Sequence, residues 1–165
     1  MMIAVVVLRC TGKLSAKLDG ESGTGVSTGA LGDWYATLIH TRRGQLVLAI
    51  SGVTLLPIVV TGRELKAFPA RLAAGLDQVL STYAVSRSAI DRECAAFDAV
   101  VYAKTDDRST VGVMTDFQRA IPYFVDDALT PLEMSLQLAR TPIVARDLFP
   151  IYATCDLFGV AHPPR

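Results

Sequence analysis

Residues that could bind an anion are concentrated in the stretch Lys-Thr-Asp-Asp-Arg-Ser-Thr at positions 104–110. This stretch joins a predicted strand to a predicted helix, where free backbone N–H groups and the positive end of the helix dipole favour an anion. Lys104 and Arg108 add positive charge and Ser109 adds a hydroxyl donor, so the stretch predicts a phosphate or carboxylate site. The alternative is that an aspartate, Asp106 or Asp107, caps the helix and takes the place of the anion.

A second candidate is the stretch Arg-Cys-Thr-Gly-Lys at positions 9–13. A strand, a glycine turn and a lysine at the start of a helix are the parts of a phosphate-binding loop. The stretch has a single glycine and does not follow the GxxxxGK[ST] pattern, so it does not predict binding of a nucleoside triphosphate. Lys13 remains a candidate ligand contact.

Two further stretches, 32–35 and 40–43, supply candidate ligand contacts beside the strands of a predicted hairpin. Asp33 precedes Trp34, the only tryptophan, which is either a core residue or a surface on which a planar ligand stacks. Arg42 lies at the predicted hairpin tip next to another arginine. Because side chains alternate along a strand, the two arginines are expected to point to opposite faces.

A metal-dependent phosphoester hydrolase is a second hypothesis, with Asp33, Asp106 and Asp116 around a divalent ion and His40 as a proton shuttle. The chain has no CxxC pair, two histidines and no nucleophile elbow at a predicted strand-to-helix turn. The motifs therefore identify no catalytic residues, and they predict no resident metal or cofactor.

The composition limits the class of protein. Of 165 residues, 51% are hydrophobic and 19% charged, and 16 basic residues balance 16 acidic ones, which excludes a disordered chain and a strongly basic nucleic-acid binder. The apolar run at positions 1–8 is too short for a signal peptide or a membrane span, so we expect a cytoplasmic protein without membrane association. Three widely spaced cysteines do not form a disulfide framework.

The order of the predicted elements indicates an α+β fold. Apolar and β-branched runs predict strands at 3–9, 34–42, 45–50, 54–60 and 99–105, and 3.6-residue periodicity predicts the main helices after residues 68, 86, 107 and 130. Strands followed by helices predict a mostly antiparallel sheet of about five strands, with the helices packed on one face. Pro57 has no backbone N–H to donate, so its strand is predicted to lie at a sheet edge or to be bulged there.

The predicted domain organisation is a single α+β domain over residues 1–142, followed by an irregular C-terminal tail over 143–165. Residues 20–32 contain five glycines and form a predicted loop. That loop is either a surface insertion or a lid that closes over a ligand.

Four strings of this sequence resemble a family of small bacterial domains of unknown function, and the resemblance covers residues 3 to about 142. They are RCTxKL from Arg9, LGDWYA from Leu31, RRxQLVL from Arg42 and KTxxRSxxGxMxDF from Lys104. The resemblance implies no activity, because none is established for that family. The family pattern has asparagine where this chain has Asp107 and Thr115, and a carboxylate at position 107 disfavours an anion there.

The leading functional hypothesis is a non-catalytic binding module for an anionic ligand, either a nucleic-acid backbone or a protein partner. Basic and hydroxyl residues recur at the predicted strand ends, while no catalytic constellation does. The candidate ligand contacts are Lys13, Asp33, Trp34, Arg42, Lys104, Arg108, Ser109 and Asp116. A third hypothesis is a homo-oligomeric interaction domain, such as a homodimer, that pairs through a sheet edge or the apolar face of 131–140.

Overall fold

A computed structural model describes residues 3–18 and 22–165 of the chain. Five strands form one sheet within these residues, in the order β4-β3-β2-β1-β5. The strands are β1 Val6–Cys10, β2 Trp34–Thr41, β3 Gly44–Ser51, β4 Pro57–Thr61 and β5 Val100–Lys104. The predicted α+β class and the five-stranded sheet are confirmed.

The sheet is mixed and mostly antiparallel. Strands β2, β3 and β4 pair as an antiparallel meander, as their short connections predict. Strand β1 pairs in parallel with both β2 and β5, so the ends of β1 and β5 lie side by side, with Cys10 opposite Lys104. Strand β4 is an edge strand that begins at Pro57, as expected for a residue without a backbone N–H.

Six α-helices accompany the sheet in the part of the chain that the structure describes. They are α1 Gly12–Ser15, α2 Phe68–Thr82, α3 Arg87–Ala95, α4 Arg108–Asp126, α5 Pro131–Ala139 and α6 Pro150–Phe158. The predicted capping box of α5 is present, since Thr130 Oγ1 accepts from Glu133 N–H at 3.1 Å and Glu133 Oε1 accepts from Thr130 N–H at 3.1 Å. Among the described helices, none combines the length and apolar character needed to span a membrane.

The helices cover both faces of the sheet, whereas the sequence predicted helices on one face. One core packs Leu8 and Trp34 against α2, α3 and α6, and the other packs Tyr35 against Phe117 of α4 and Met134 of α5. Strand neighbours point to opposite faces, and both Trp34 and Tyr35 are buried. Such two-sided burial produces a nearly continuous apolar strand rather than an alternating one.

The segment predicted as an irregular tail contains helix α6, which packs in the core that contains Leu8 and Trp34, called the main core below. Its Ile151 and Cys155 are 1% and 0% exposed, and Thr154 Oγ1 donates to Thr54 Oγ1 at 2.9 Å. Two local features mark the ends of this helix: Pro150 in its first turn, and Gly159 at its C-cap with φ +66°. The helix has nine residues, which is too short for its apolar spacing to stand out.

The described part of the glycine-rich loop is tied to the sheet. Thr28 N–H donates to Val5 O at 2.9 Å, and Val7 N–H donates to Ser27 Oγ at 2.9 Å. These bonds lie beside the start of β1, where β2 offers no partner because Trp34 pairs with Leu8. Residues 20 and 21 of the predicted loop lie outside the described residues.

Candidate functional site

Arg9 of β1 is the centre of a polar network at the ends of β1 and β5. Its Nε donates to Asp33 Oδ2 at 2.8 Å, and its Nη1 donates to the backbone oxygen of Lys104 at 3.0 Å. The same Nη1 lies 3.4 Å from Asp106 Oδ2. The Arg9 side chain is 20% exposed. The guanidinium therefore joins three segments: the start of β2, the end of β5 and the turn that leads to α4.

Two hydroxyl groups complete this network. Ser27 Oγ donates to Asp33 Oδ1 at 2.7 Å, and the Tyr35 hydroxyl donates to Asp106 Oδ1. The hydrogen bond to Asp33 raises the pKa of Arg9, while burial and then the bond to Asp106 raise the pKa of Tyr35. Both groups are consequently protonated at neutral pH, so neither acts as a general base there.

Asp107 caps helix α4 and takes the position expected for an external anion. Its Oδ1 accepts from Ser109 N–H at 2.9 Å, and its Oδ2 accepts from Thr110 Oγ1 at 2.9 Å. The Thr110 hydroxyl, followed by the backbone N–H groups of Thr110 and Ser109, lowers the pKa of Asp107. The capping alternative is thus the observed arrangement, and an anion bound by these amides would have to displace the carboxylate.

Side chains around this cap form a shallow hollow of about 430 Å³, lined by Thr105, Asp106, Asp107, Arg108, Val111, Gly112 and Thr115. Arg108 and Lys104 are exposed, and neither side chain has a hydrogen bond or an ion pair to any residue that the structure describes. Arg146 approaches from the other side and donates to Ser109 Oγ from Nη2 at 2.7 Å.

A larger depression of about 840 Å³ continues from this hollow along α4. The two adjoin at Gly112 and Thr115, which line both, and together we call them the α4 groove. Its walls are α4 and the segment 141–145. Its lining includes the buried apolar residues Val113, Phe117, Leu138 and Ile143.

The structure brings some of the predicted contacts together. Arg108, Ser109 and Asp116 line the α4 groove. Lys104 lies at the end of β5 beside the Arg9 network, and Asp33 belongs to that network through Arg9. These five predicted residues lie on or beside one surface.

The other three predicted contacts lie elsewhere. Trp34 is 2% exposed and packs against Phe97 with 6.1 Å between ring centroids, so it is a core residue with no free face for a planar ligand. Arg42 pairs with Asp126 at 2.8 Å, at the opposite end of α4 from Arg108, a helix length of about 27 Å. Lys13 belongs to α1, whose Leu14 joins the core on the sheet face opposite α4.

The three carboxylates and the histidine of the hydrolase hypothesis do not meet at one site. Asp33 and Asp106 both bind the guanidinium of Arg9, and Asp116 is about 13 Å further along α4 than Asp107. His40 lies seven residues along β2 from Asp33, about 23 Å, and contacts Gln45. Within residues 3–18 and 22–165, no three His, Cys, Asp or Glu side chains are grouped as metal ligands.

Sequence reasoning missed Arg9, Tyr35 and Arg146 as members of this region. For Arg9 a signal was present, because a charged residue inside an apolar strand requires a buried partner. The partners themselves carried no local signal. Asp33 and Asp106 belong to distant segments that meet only through the parallel pairing of β1 with β2 and β5.

The comparison with protein families identifies the chain. The family described as Domain of unknown function (DUF6933) matches residues 7–152. The chain belongs to the DUF6933 family. The DUF6933 match runs from β1 into α6, and it therefore includes the glycine-rich loop and part of the segment that the sequence assigned to a tail. Neither the curated proteins nor the solved structures contain a significant match.

Proposed function

We propose that this DUF6933 domain is a non-catalytic binding module whose α4 groove takes an acidic, partly apolar segment of a protein partner. One observation carries the proposal. The groove combines apolar side chains with a rim on which Arg108 is unpaired while the neighbouring carboxylates are engaged. Grooves of this kind recognise a partner through apolar anchors and a few placed charges.

The apolar part of the groove supplies the area for binding. Phe117 and Ile143 form its floor at 2% and 8% exposure, and the accessible apolar surface is on its rim, where Val144 is 88% exposed. The larger part of the groove, about 840 Å³, is within the usual range of ligand sites, ~300–1,000 Å³. Burial of its apolar surface would contribute ~25 cal/mol per Å² removed from water.

The charges on the rim of the groove determine the sign of the charge that the partner segment should carry. Asp106 is bound by Arg9 and Tyr35, Asp107 caps α4, and Asp116 pairs with Arg119 at 3.3 Å. Arg108 and Lys104 remain without a carboxylate partner in the described structure. An aspartate or glutamate of the bound segment would accept a charge-assisted hydrogen bond from the guanidinium of Arg108.

A nucleic-acid backbone is the less favoured ligand. A backbone is bound by several cations placed along its path. Here Arg42 is engaged by Asp126, and Lys13 lies on the other side of the sheet, so of the four predicted cations only Lys104 and Arg108 lie beside the groove in the described structure.

The proposal is tested with a phage-displayed random peptide library selected on the full chain. We expect enriched peptides that combine Asp or Glu with apolar residues. Arg108→Gln and Gly112→Leu should each weaken these peptides about tenfold or more, because one removes the unpaired charge and the other fills the groove. Arg43→Gln, at the exposed β2–β3 turn, is the matched control and should bind like the wild type.

Three results would overturn this proposal. The first is a library without enriched sequences, and the second is a set of peptides that bind all four proteins equally. The third is salt-dependent binding of single- or double-stranded oligonucleotides that Arg108→Gln weakens, which would favour the nucleic-acid hypothesis. Light scattering on the same samples separates a partner protein from a second copy of this chain, which would occupy the groove in a homodimer.

A further inference from the structure

A second, smaller pocket lies where α5 ends and α6 begins, far along the chain from the Arg9 network. Its volume is about 240 Å³, and its lining consists of Arg140, Phe149, Ile151, Tyr152, Pro163 and Arg165. This is below the ~300–1,000 Å³ of pockets that hold drug-sized ligands. The volume therefore fits a ligand with about one ring.

The walls of this pocket are held in place by specific contacts. Phe149 and Tyr152 pack with 5.3 Å between ring centroids at 53°, and His162 stacks on Tyr152 at 4.6 Å and 14°. His162 Nε2 also lies 2.6 Å from Asp156 Oδ1. These contacts fold the segment after α6 back onto the helix, which places Pro163 and Arg165 at the pocket.

The lining of the pocket contains two guanidinium groups. Arg140 and Arg165 both line it, and neither guanidinium has a hydrogen bond or ion pair to the residues that the structure describes. No carboxylate side chain is part of the lining, and the nearby Asp156 is engaged by His162. A guanidinium is a planar donor that matches the oxygens of a carboxylate or a phosphate.

From these observations we infer that the α5–α6 pocket binds a small planar aromatic anion, with one ring and one carboxylate or phosphate group. The ring would contact Phe149 and Tyr152, facing one of them and meeting the other edge-on because the two rings are inclined at 53°, and the anionic group would bind Arg140 and Arg165. Offset stacking and charge-assisted hydrogen bonds reinforce each other in such a site. This pocket shares no lining residue with the α4 groove, so the inference is independent of the proposed function.

The test is an NMR titration of the full-length, ¹⁵N-labelled chain with four probes: benzoate, phenyl phosphate, cyclohexanecarboxylate and inorganic phosphate. For a ligand of this size we expect Kd values in about the millimolar range. Benzoate or phenyl phosphate should shift the amide signals of Ile151 and Tyr152. The stronger of these two identifies the anionic group. Cyclohexanecarboxylate and inorganic phosphate should bind about fivefold or more weakly, since neither offers an aromatic face.

Two variants and a control assign the effect to the pocket. Arg140→Gln and Arg165→Gln should each weaken the preferred probe about tenfold, and Arg119→Gln on α4 should leave it unchanged. Both tested side chains are exposed, so these substitutions are not expected to impair folding. The inference is overturned by equal binding of benzoate and cyclohexanecarboxylate, by unchanged affinity in both variants, or by the absence of shifts at millimolar probe.

Discussion

Arg9 of β1 and Asp106, which follows β5, approach to 3.4 Å between Nη1 and Oδ2 and thereby join the sheet to the turn before α4. Arg9 also donates hydrogen bonds to Asp33 and to the backbone oxygen of Lys104. One side chain therefore holds the base of the α4 groove in position. The groove is consequently expected to depend on Arg9 even though Arg9 is not part of its lining.

The first prediction concerns Arg9→Gln. This change leaves the partly buried carboxylate of Asp33 without its cation, so we expect the free energy of unfolding to fall by about 1–2 kcal/mol; the exposed Asp106 contributes little to this loss because solvent screens its pair with Arg9. Urea denaturation measures this loss. Hydrogen exchange of the amides at 104–107 should also become faster, because the turn loses its tie to β1. Arg119→Gln, which removes only an exposed pair with Asp116, should leave both measurements unchanged. Equal effects of the two variants would contradict the role given to Arg9.

The second prediction concerns Gly112 inside α4. A Cβ at this position would meet no atom within 4 Å, and the backbone is helical. Gly112→Ala should therefore raise the free energy of unfolding by about 0.5–1 kcal/mol, since alanine loses less backbone entropy in a helix. Thermal unfolding detects this as a higher Tm.

Gly62→Ala provides the contrast for that measurement. A Cβ on Gly62 would lie 2.8 Å from Gln45 Cβ and 3.0 Å from its backbone carbon, so this variant should be destabilised. A lower Tm for Gly112→Ala would show that the groove is occupied by neighbouring atoms of the chain.

The third prediction concerns the pH dependence that Asp107 confers. Its pKa is lower in the folded state than in the unfolded chain, where it is about 3.9. The stabilisation by Asp107 is therefore complete above that unfolded value and is lost as the pH falls through the lowered pKa. The side chain is 47% exposed, so solvent screening limits this contribution to about 1 kcal/mol or less.

Asp107→Asn isolates the contribution of this carboxylate. Asparagine is a comparable N-cap, so the variant should fold, and its stability should fall less than that of the wild type between pH 5 and about pH 2. Chemical denaturation at several pH values measures the difference. Asp98→Asn removes an exposed carboxylate that has no bond within the described residues, and it should follow the wild-type profile. Parallel profiles for the wild type and Asp107→Asn would contradict this account.

The fourth prediction concerns the C-terminal boundary of the domain. Ile151 of α6 is 1% exposed in the main core, so Ile151→Ala should lower the free energy of unfolding by about 2–4 kcal/mol. Leu157, on the same helix, is 40% exposed, and Leu157→Ala should cost much less. Urea denaturation distinguishes them. A small effect at both positions would restore the irregular tail predicted from the sequence.

Local signals in the sequence predicted the elements well, because each depends on residues within one or two turns. Asp107 as a helix cap, the Thr130 capping box and the edge position of Pro57 are all present. The apolar stripe of α4 likewise packs in the core beside Tyr35. The placement of helices on both faces was not predicted, although the nearly continuous apolar runs of the strands carry a signal for it.

The candidate site was only partly predictable. Lys104, Arg108 and Ser109 are neighbours along the chain and carry their own signal, and the structure places them at one end of α4. Arg42 was grouped with them on residue type alone. The structure places it at the other end of that helix, beside Asp126.

By itself, the sequence determined the identity and limits of most strands and helices, because caps, turns and hydrophobic periodicity act between near neighbours. Only the tertiary structure decided that Arg9 meets Asp33 and Asp106, and that α4 and the segment 141–145 enclose a groove. The physical reason is that such contacts join segments far apart in the chain. Their distances depend on strand order and on the face each helix covers, which no local pattern encodes.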